Sequence, residues 1–277
     1  MENLIVPGEV VQLTPRVRRL TAPNPGMMTG PGTNSYIIGT TELTVIDPGP
    51  EIESHIAALI AAVDTRLRRI VTTHTHLDHS PAVRALRAAT GAEVLGMRAP
   101  PQANQDQAFA PDRVPVHGEV IRCGDFSLRA VHTPGHASNH LCYLLVEDRL
   151  LFTGDHVMQG STVVITPPDG DMGAYLRSLE GLLSLDMNCI APGHGHLITA
   201  PHDEARRLIA HRLKREQKVV DGFAANNPAT LDELVPVVYA DTPVKLHGAA
   251  KRSLYAHLLK LEAEGRVLRE SESWRLK

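Results

Sequence analysis

The chain has 277 residues, of which 43% are hydrophobic and 21% are charged, so its composition is that of an ordinary folded protein. The formal net charge of −3 argues against a general polyanion binder, and no run approaches the ~20 uninterrupted apolar residues of a membrane span. Met1–Pro7 lacks the basic and apolar segments of a secretory signal, and the three dispersed cysteines favour a reducing compartment, so we expect a cytoplasmic protein.

Short β-branched runs alternate with helical patterns at the start of the chain. Bounded by Pro, Gly or Asn, the predicted strands are Val10–Leu13, Val17–Leu20, Ser35–Ile38, Leu43–Ile46 and Arg69–Thr73. A helix is predicted over Glu51–Val63, where apolar residues recur on one face, and a second helix from Pro81 to about Thr90. The segment Met97–Asp112, with prolines near its ends, is predicted to be an irregular surface loop.

A cluster of metal-ligand side chains directly follows the fifth predicted strand. His74, His76, Asp78 and His79 lie within six residues. A loop at a strand end can aim several alternating side chains at one point, and imidazole with a carboxylate suits zinc. The alternative is a polar surface loop, which gives no reason for four ligand-type residues in six.

Residues 126–191 repeat the alternation of strands and helices. Strands are predicted over Phe126–His132, Leu141–Val146, Leu150–Phe152 and Asn188–Ala191, and a helix over about Met172–Leu185. Strands interleaved with helices, joined partly by hairpins and partly by crossovers, predict an α/β (α+β) architecture with mixed sheets.

Three further candidate ligands follow these later strands, each beside a glycine that lets the backbone turn tightly. They are His136 in Pro134–His136, Asp155 after Gly154, and His194 in Pro192–Gly195. Together with the first cluster they make five histidines and two aspartates. Seven ligands are what two metal ions need when one carboxylate bridges them and positions stay open for water and substrate.

The ordered motifs HxHxDH, PGH, GD and PGHG, within about residues 15–200, resemble the metallo-beta-lactamase superfamily. The resemblance implies an αββα sandwich with two zinc ions at one edge between the sheets, iron or manganese being the alternative metals. By that resemblance, one zinc ion is held by His74, His76 and His136, the other by Asp78, His79 and His194, and both by Asp155.

The chain departs from the true beta-lactamases of this superfamily. The commoner lactamase subclasses use a cysteine as a metal ligand, whereas this chain has no cysteine at a ligand position. The other lactamase subclasses lack the bridging aspartate, whereas this chain has Asp155. It therefore looks like the glyoxalase II, lactonase and nuclease side of the superfamily, and beta-lactam hydrolysis is not expected.

The expected chemistry is hydrolysis by a hydroxide shared between two zinc ions. Two zinc ions would lower the pKa of a shared water from ~15.7 towards ~7, so that hydroxide attacks a carbonyl carbon or a phosphorus. Asp78 is expected to orient the hydroxide and relay a proton. We expect an ester or thioester of a small molecule as the substrate, although a phosphodiester would serve the same metals.

Several other polar residues have both a functional and a structural interpretation. His140 either donates a hydrogen bond to substrate, orients a metal ligand, or starts a strand. Asp47 either supports the His74–His79 loop or is an ordinary turn aspartate. His156 is expected beside the ligands or partly exposed. Asn34 or Tyr36 would contribute polar contacts at the substrate mouth, although strand packing is the favoured interpretation of Tyr36.

The pattern of predicted elements changes after residue 202. A catalytic domain over 1–202 is followed by a charged connecting helix over 203–220 and a small domain over 221–277. In that domain Thr230 and Glu233 predict a capping box for a helix over Leu231–Tyr239. A helix over about Gly248–Glu264 and a hairpin of Arg266–Arg269 and Ser273–Leu276 complete a winged-helix pattern.

A metallo-beta-lactamase domain followed by a winged helix is a narrower resemblance. It is similar to a lactamase-like group that includes an endoribonuclease cutting single-stranded RNA and fungal thioesterases that release polyketides. Residues 221–277 carry eight Lys/Arg and eight Asp/Glu, a net charge of zero, whereas a winged helix that grips nucleic acid usually presents a basic face. We therefore favour a module that walls the active-site cleft over one that binds RNA.

Two other classes and the oligomeric state stay open. Persulfide-oxidising dioxygenases share HxHxDH but use a single iron, so an iron-dependent dioxygenase is a second alternative. A non-catalytic nucleic-acid-binding protein with a structural metal would need a closed site of about four ligands, which seven ligands do not favour. A monomer and a dimer are both compatible with the sequence, and no membrane partner is expected.

Overall fold

The computed structural model describes residues 4–102 and 104–277, which form two compact units. The first unit comprises the described residues up to Thr133, Asn139–Ser161 and Asp186–Pro201. The second comprises Pro134–Ser138, Thr162–Leu185 and His202–Lys277. The expected absence of a secretory signal rests partly on residues 1–3, which lie outside the described residues. Within the described residues, no helix has both the length and the apolarity needed to cross a membrane.

The first unit begins with a six-stranded mixed sheet. Its strands, adjacent in numerical order, are β1 (Val10–Gln12), β2 (Val17–Thr21), β3 (Asn34–Ile38), β4 (Leu43–Ile46), β5 (Leu67–Val71) and β6 (Glu93–Leu95). The first four are antiparallel, whereas β4, β5 and β6 run parallel because α1 (Glu53–Val63) and α2 (Val83–Thr90) are crossover helices.

A five-stranded sheet makes up the rest of the first unit. Its strands are β7 (Val120–Cys123), β8 (Phe126–His132), β9 (Leu141–Leu145), β10 (Leu150–Gly154) and β11 (Cys189–Pro192), in the order β11-β10-β9-β8-β7. The neighbours are antiparallel except β10 and β11, which run parallel. The carboxyl ends of β10 and β11 therefore meet at one edge, as those of β4 and β5 do in the other sheet.

The two sheets pack face to face through the alternate residues of their strands. Ile38 and Ile46 join a core with Tyr143 and Phe152 of the second sheet. The ring centroids of Tyr36 and Phe152 are 5.0 Å apart. Because successive strand residues point to opposite faces, the neighbours of these residues form a second core against α1 and α2, and this core includes Ile37, Val45, Leu59 and Leu86.

The second unit contains two further helices and a winged-helix module. The helices are α3 (Met172–Leu182) and α4 (Pro201–Gly222), the latter starting at the last residue of the first unit. The module consists of β12 (Ala229–Thr230), α5 (Leu231–Val238), α6 (His247–Ala263), β13 (Val267–Glu270) and β14 (Ser273–Leu276). Its core surrounds Trp274, which is 1% exposed. The predicted capping box of Thr230 and Glu233 is present.

The α+β class, the mixed sheets and the C-terminal winged helix predicted from the sequence are confirmed. The short strands β6 and β7 were not predicted, because three or four residues give too little alternation to recognise. The strand predicted over Arg69–Thr73 occupies Leu67–Val71 instead. The reason is that Thr73 has left the sheet, since its N–H donates to the Asp47 carboxylate at 2.7 Å.

A buried ionic cluster lies within the second unit. Glu216 is only 4% exposed, and its carboxylate is 2.8 Å from Lys260 Nζ and 3.0 Å from Arg266 Nη1. Burial raises the pKa of Glu216, but His257 and Lys260 lower it to about 2. The charged carboxylate therefore contributes to the stability of this unit.

Replacing Glu216 by Gln should make the second unit less stable, and the difference should depend on pH. Since the folded pKa of about 2 lies below the ordinary value of 4.5, the contribution is complete above pH ~4.5 and is lost as the pH falls towards 2. We expect Glu216→Gln to lower the free energy of unfolding by about 1–3 kcal/mol at pH 7. Denaturant titrations at pH 7 and pH 3 measure this; an equal difference at both pH values contradicts it.

Candidate metal centre

The loop after β5 places its ligand-type side chains at the edge where the strands of the first unit end. The chain turns tightly there, because the N–H of His79 donates to the carbonyl of His76 at 2.9 Å. His74 and His79 are buried, with exposed fractions of 1% and 0%. Asp155 follows β10 and His194 follows β11, so two parallel strand ends bring both residues to the same edge.

His74, His76 and Asp155 form one candidate ligand group. One ligand atom from each lies within 4.8 Å of the others. His74 Nε2 and His76 Nδ1 are 2.9 Å apart, which makes them the two ring nitrogens that face a common point.

Asp78, His79 and His194 form a second group, and it meets the first at Asp155. The Nε2 atoms of His79 and His194 lie 3.4 and 3.3 Å from Asp78 Oδ2. The same two nitrogens lie 3.4 and 3.3 Å from Asp155 Oδ1. Asp155 is thus within reach of both groups, which is the position that a bridging carboxylate requires.

His136 lies on the short segment Pro134–Ser138 of the second unit. Its Nδ1 is 2.9 Å from the carbonyl of Val164. Gly135 has a φ of +146°, and a Cβ there would lie 2.4 Å from the Cα of Tyr175, so only glycine fits before this histidine. The role of His136 as a ligand stays a prediction.

The ring nitrogens that do not face the candidate sites are anchored by the protein. His79 Nδ1 is 3.0 Å from Asp47 Oδ2, and His194 Nδ1 is 3.1 Å from the carbonyl of Gly32. A histidine that binds a metal commonly donates its other ring N–H to a carboxylate or a carbonyl, which fixes the ring and its tautomer. The arrangement therefore fits a metal site, with Nε2 of both rings as the ligand atom.

Asp47 organises the end of β5. One of its oxygens accepts from the N–H of Thr73 at 2.7 Å, and the other lies 2.7 Å from Thr73 Oγ1 and 3.0 Å from His79 Nδ1. The side chain is buried, and its backbone has a φ of +50°, which a residue other than glycine rarely adopts. Asp47 was interpreted either as a support of the His74–His79 loop or as an ordinary turn aspartate, and the geometry favours the first.

The electrostatics of the site favour a bound cation. Burial opposes the charged form of His79 and His194, but neighbouring carboxylates raise the pKa of His79 well above its usual value and that of His194 to about 10. Burial raises the pKa of Asp78, whereas His79 and His194 lower it to about 2. Burial, together with the charges of His79 and His76, holds the pKa of His74 well below its usual range. Metal ions compete with protons for such ligands.

His140 and His156 lie behind the first ligand group. The His140 ring is fully buried, stacks on His74 with a centroid distance of 5.0 Å, and has Nδ1 2.9 Å from Thr133 Oγ1. This favours the orienting interpretation of His140 over contact with substrate. His156 is also fully buried, with its ring centroid 5.9 Å from that of His140, so of its two interpretations partial exposure is excluded and a position beside the ligands is retained.

Asn34 and Tyr36 do not line a substrate mouth. They are 0% and 2% exposed, and both donate a side-chain hydrogen bond to the carbonyl of Pro192, at 3.1 and 2.7 Å. The expected polar contact with substrate is therefore wrong for Asn34, whereas strand packing, the favoured interpretation of Tyr36, is confirmed. They anchor the loop that carries His194.

Three amides that the sequence interpretation missed support the first ligand group. Asn139 Nδ2 donates to Thr75 Oγ1 at 2.6 Å, Gln105 Oε1 accepts from the same hydroxyl at 2.6 Å, and Asn104 Nδ2 lies 3.0 Å from His76 Nε2. Two of these amides lie in the segment predicted to be an irregular surface loop. No periodicity or motif marks them, because their role depends on contacts far along the chain.

The comparisons with known proteins agree with this geometry. Residues 28–194 match the family model described as the metallo-beta-lactamase superfamily, and residues 230–274 match the one described as a beta-lactamase associated winged helix domain. A beta-lactamase-like protein 2 homolog of Drosophila melanogaster is 32% identical, covering 95% of this chain and 93% of its own. An atrochrysone carboxyl ACP thioesterase of Aspergillus fumigatus is 33% identical, covering 85% of this chain and 77% of its own.

A solved structure shows the same fold over the whole chain. It is a beta-lactamase domain protein from Burkholderia ambifaria, with a TM-score of 0.83 and 19% identity, covering 100% of this chain and 96% of its own. At this identity the likeness concerns the fold alone.

Replacing Asp47 by Asn should weaken metal binding without unfolding the protein. The amide lacks the negative charge that stabilises the His79 ring and its N–H, and loss of such a support commonly weakens metal binding about 10- to 100-fold. Competition with a chromophoric chelator measures the dissociation constants. Asp64→Asn is the matched control, since Asp64 also has a positive φ of +46° but pairs with Arg66 at the surface. Equal affinities in the wild type and Asp47→Asn would contradict the prediction.

Proposed function

We propose that this chain, which belongs to the metallo-beta-lactamase superfamily, is a dinuclear metallohydrolase that cleaves an ester or thioester bond of a small molecule. The observation that carries the proposal is the position of Asp155, whose Oδ1 lies 3.4 and 3.3 Å from the Nε2 atoms of the second group while the same side chain belongs to the first. The thioesterase names of several relatives support the choice of bond.

The donor set fits zinc. The two groups offer imidazole nitrogens and carboxylate oxygens, with the other ring nitrogens of His79 and His194 already anchored. We propose His136 as the further ligand of the first group, on its PGH motif. Iron or manganese would suit the same ligands, so the identity of the metal is part of the proposal. Bound there, two such ions supply Lewis acidity and a water with a pKa of about 7.

Asp78 is the residue best placed to act on the reacting atoms. Its side chain is 29% exposed, whereas those of His79 and His194 are 0% and 6% exposed. Asp78 Oδ2 faces these two histidines and accepts from Thr33 Oγ1 at 3.3 Å. We propose that the other oxygen of Asp78 orients the nucleophilic water and takes its proton, which the departing alcohol or thiol later receives.

The cysteines do not offer a competing nucleophile or ligand. Cys123 and Cys142 are buried in the first unit and Cys189 is partly buried there. Burial raises the pKa of all three thiols, that of Cys142 to about 12. A thiol with such a pKa is neutral at physiological pH and therefore a poor nucleophile and a poor metal ligand.

The surface charges of the second unit favour a small substrate over RNA. Arg215 and Lys218 both pair with Asp241, at 2.8 and 2.7 Å, and Arg275 pairs with Glu270 at 2.8 Å. A protein that binds RNA needs cations available to phosphate, whereas these three cations are partly neutralised by the two carboxylates that they contact. We therefore keep cleavage of single-stranded RNA as the alternative activity, ranked below hydrolysis of a small ester or thioester.

A side-by-side activity screen tests the substrate class. The substrates are an acyl-CoA, an S-acyl glutathione, an aryl ester, a bis-phosphodiester and labelled single-stranded RNA. We expect turnover of the thioesters or the ester and a fall in kcat/KM of at least about 100-fold in Asp78→Ala, because the proton acceptor is lost. RNA cleavage that disappears in Asp78→Ala, without thioester or ester turnover, would select the nuclease.

Metal analysis of the purified protein tests the dinuclear site. We expect two zinc ions per chain, and fewer in Asp155→Ala, because the carboxylate shared by both groups is removed. Elemental analysis after dialysis gives the ratio. A single iron per chain in the active wild type would reject the hydrolase and favour the dioxygenase alternative.

A further inference from the structure

We propose that Asn34 and Asn139 are positioning residues that hold the two ligand groups separately, each through one buried side-chain amide. Asn34 would hold the loop of His194, and Asn139 would hold the segment between His74 and His76. The inference rests on the proposed metal sites.

Asn34 holds the His194 loop from both sides of the histidine. Its Nδ2 donates to the carbonyl of Pro192 at 3.1 Å and to the carbonyl of Gly195 at 2.9 Å. The backbone N–H of Asn34 also donates to the carbonyl of Gly193 at 2.8 Å. The loop is thus fixed at three carbonyls around its ligand residue, and the side chain that fixes it is 0% exposed.

The orientation of the Asn34 amide follows from its partners. Backbone carbonyls only accept hydrogen bonds, so the nitrogen must face Pro192 and Gly195. The oxygen then accepts from Thr21 Oγ1 at 2.8 Å. Aspartate has the same shape but no N–H, so a carboxylate at this fully buried position would face two carbonyl oxygens.

Asn139 holds the first group in a similar way. Its Nδ2 donates to Thr75 Oγ1 at 2.6 Å and to the carbonyl of Arg98 at 3.2 Å, and the residue is 3% exposed. The hydroxyl proton of Thr75 goes to Gln105 Oε1 at 2.6 Å, so the hydroxyl oxygen is an acceptor for Asn139. Thr75 lies between His74 and His76, and its position fixes theirs.

The two amides share no hydrogen-bond partner among the bonds described above. One acts on the loop after β11, and the other acts on the loop after β5. The two ligand groups are joined through Asp155, so a change at one amide should disturb its own ligand group strongly and the other group only weakly. A general packing defect would instead disturb both groups to the same extent.

Cadmium NMR of the metal-loaded protein tests this separation. The wild type loaded with ¹¹³Cd should give two resonances, one for each group. Asn34→Asp should lose or markedly shift one resonance and shift the other only slightly, through the shared Asp155, and Asn139→Asp should do the reverse. We expect each variant to bind the affected ion at least about tenfold more weakly than the wild type.

Milder variants cover the case in which an aspartate variant does not fold. Thr21→Val removes the hydrogen bond to Asn34 Oδ1 and should shift the resonance that Asn34→Asp would affect, with the ion retained. Thr75→Val should shift the other resonance. Asn227→Asp is the matched control, since Asn227 Oδ1 accepts from the N–H of Leu276 in the winged-helix module and aspartate keeps that acceptor. It should move neither resonance.

The outcomes separate this inference from the proposed function. A wild type that gives no cadmium resonance overturns the dinuclear site itself. Two resonances in the wild type that are affected equally in each variant, or the same resonance affected most in Asn34→Asp and in Asn139→Asp, overturn the separate positioning roles. The same pattern in the two valine variants has the same meaning. The separate positioning roles are supported if the variants of Asn34 and Thr21 affect one resonance and the variants of Asn139 and Thr75 affect the other.

Discussion

Six imidazole and carboxylate side chains converge at one edge of the first unit, and four of them, His74, His79, Asp155 and His194, are buried. The burial of such polar and charged groups is the constraint on which the rest of the structure depends. Charged groups out of water are costly unless they are paired or bound to a cation. Asp155 and Asp78 face His79 and His194 at 3.3–3.4 Å, so each charge has an opposite charge beside it. A divalent cation at this point satisfies the same carboxylates and leaves the imidazoles neutral.

The fold supplies the rigidity that this convergence needs. Two sheets with their cores on both sides present the ends of parallel strand pairs at a single edge, and short loops carry the ligands from there. Buried polar residues then fix the loops: Asp47 bonds the end of β5 and His79, and Asn34 bonds the loop of His194. Ligands held in this way are in place before substrate arrives, which is what hydrolysis by a metal-activated water requires.

The second unit is stabilised by its own core and by its own ion pairs. Trp274 and the leucines of α6 lie in the core of the winged helix, and Glu216 forms ion pairs with Lys260 and Arg266. Within residues 221–277, Lys251, Lys260, Arg266 and Arg275 have carboxylate partners, which reduces the positive charge that the module can offer a polyanion. Its composition, a net charge of zero over residues 221–277, pointed in the same direction, and the pairing gives the physical reason.

The sequence by itself determined the ligand motifs, the alternation of strands and helices, and the winged-helix tail, because each of these is encoded within a few neighbouring residues. The cluster His74–His79 needs only a strand before it, and the capping box needs only Thr230 and Glu233. The tertiary structure decided what the remaining polar residues do. Asn34 was expected beside the substrate, and Asn139 and Asn104 carried no signal. Each has its role through residues between about 28 and 161 positions away along the chain, and no local pattern records such a contact.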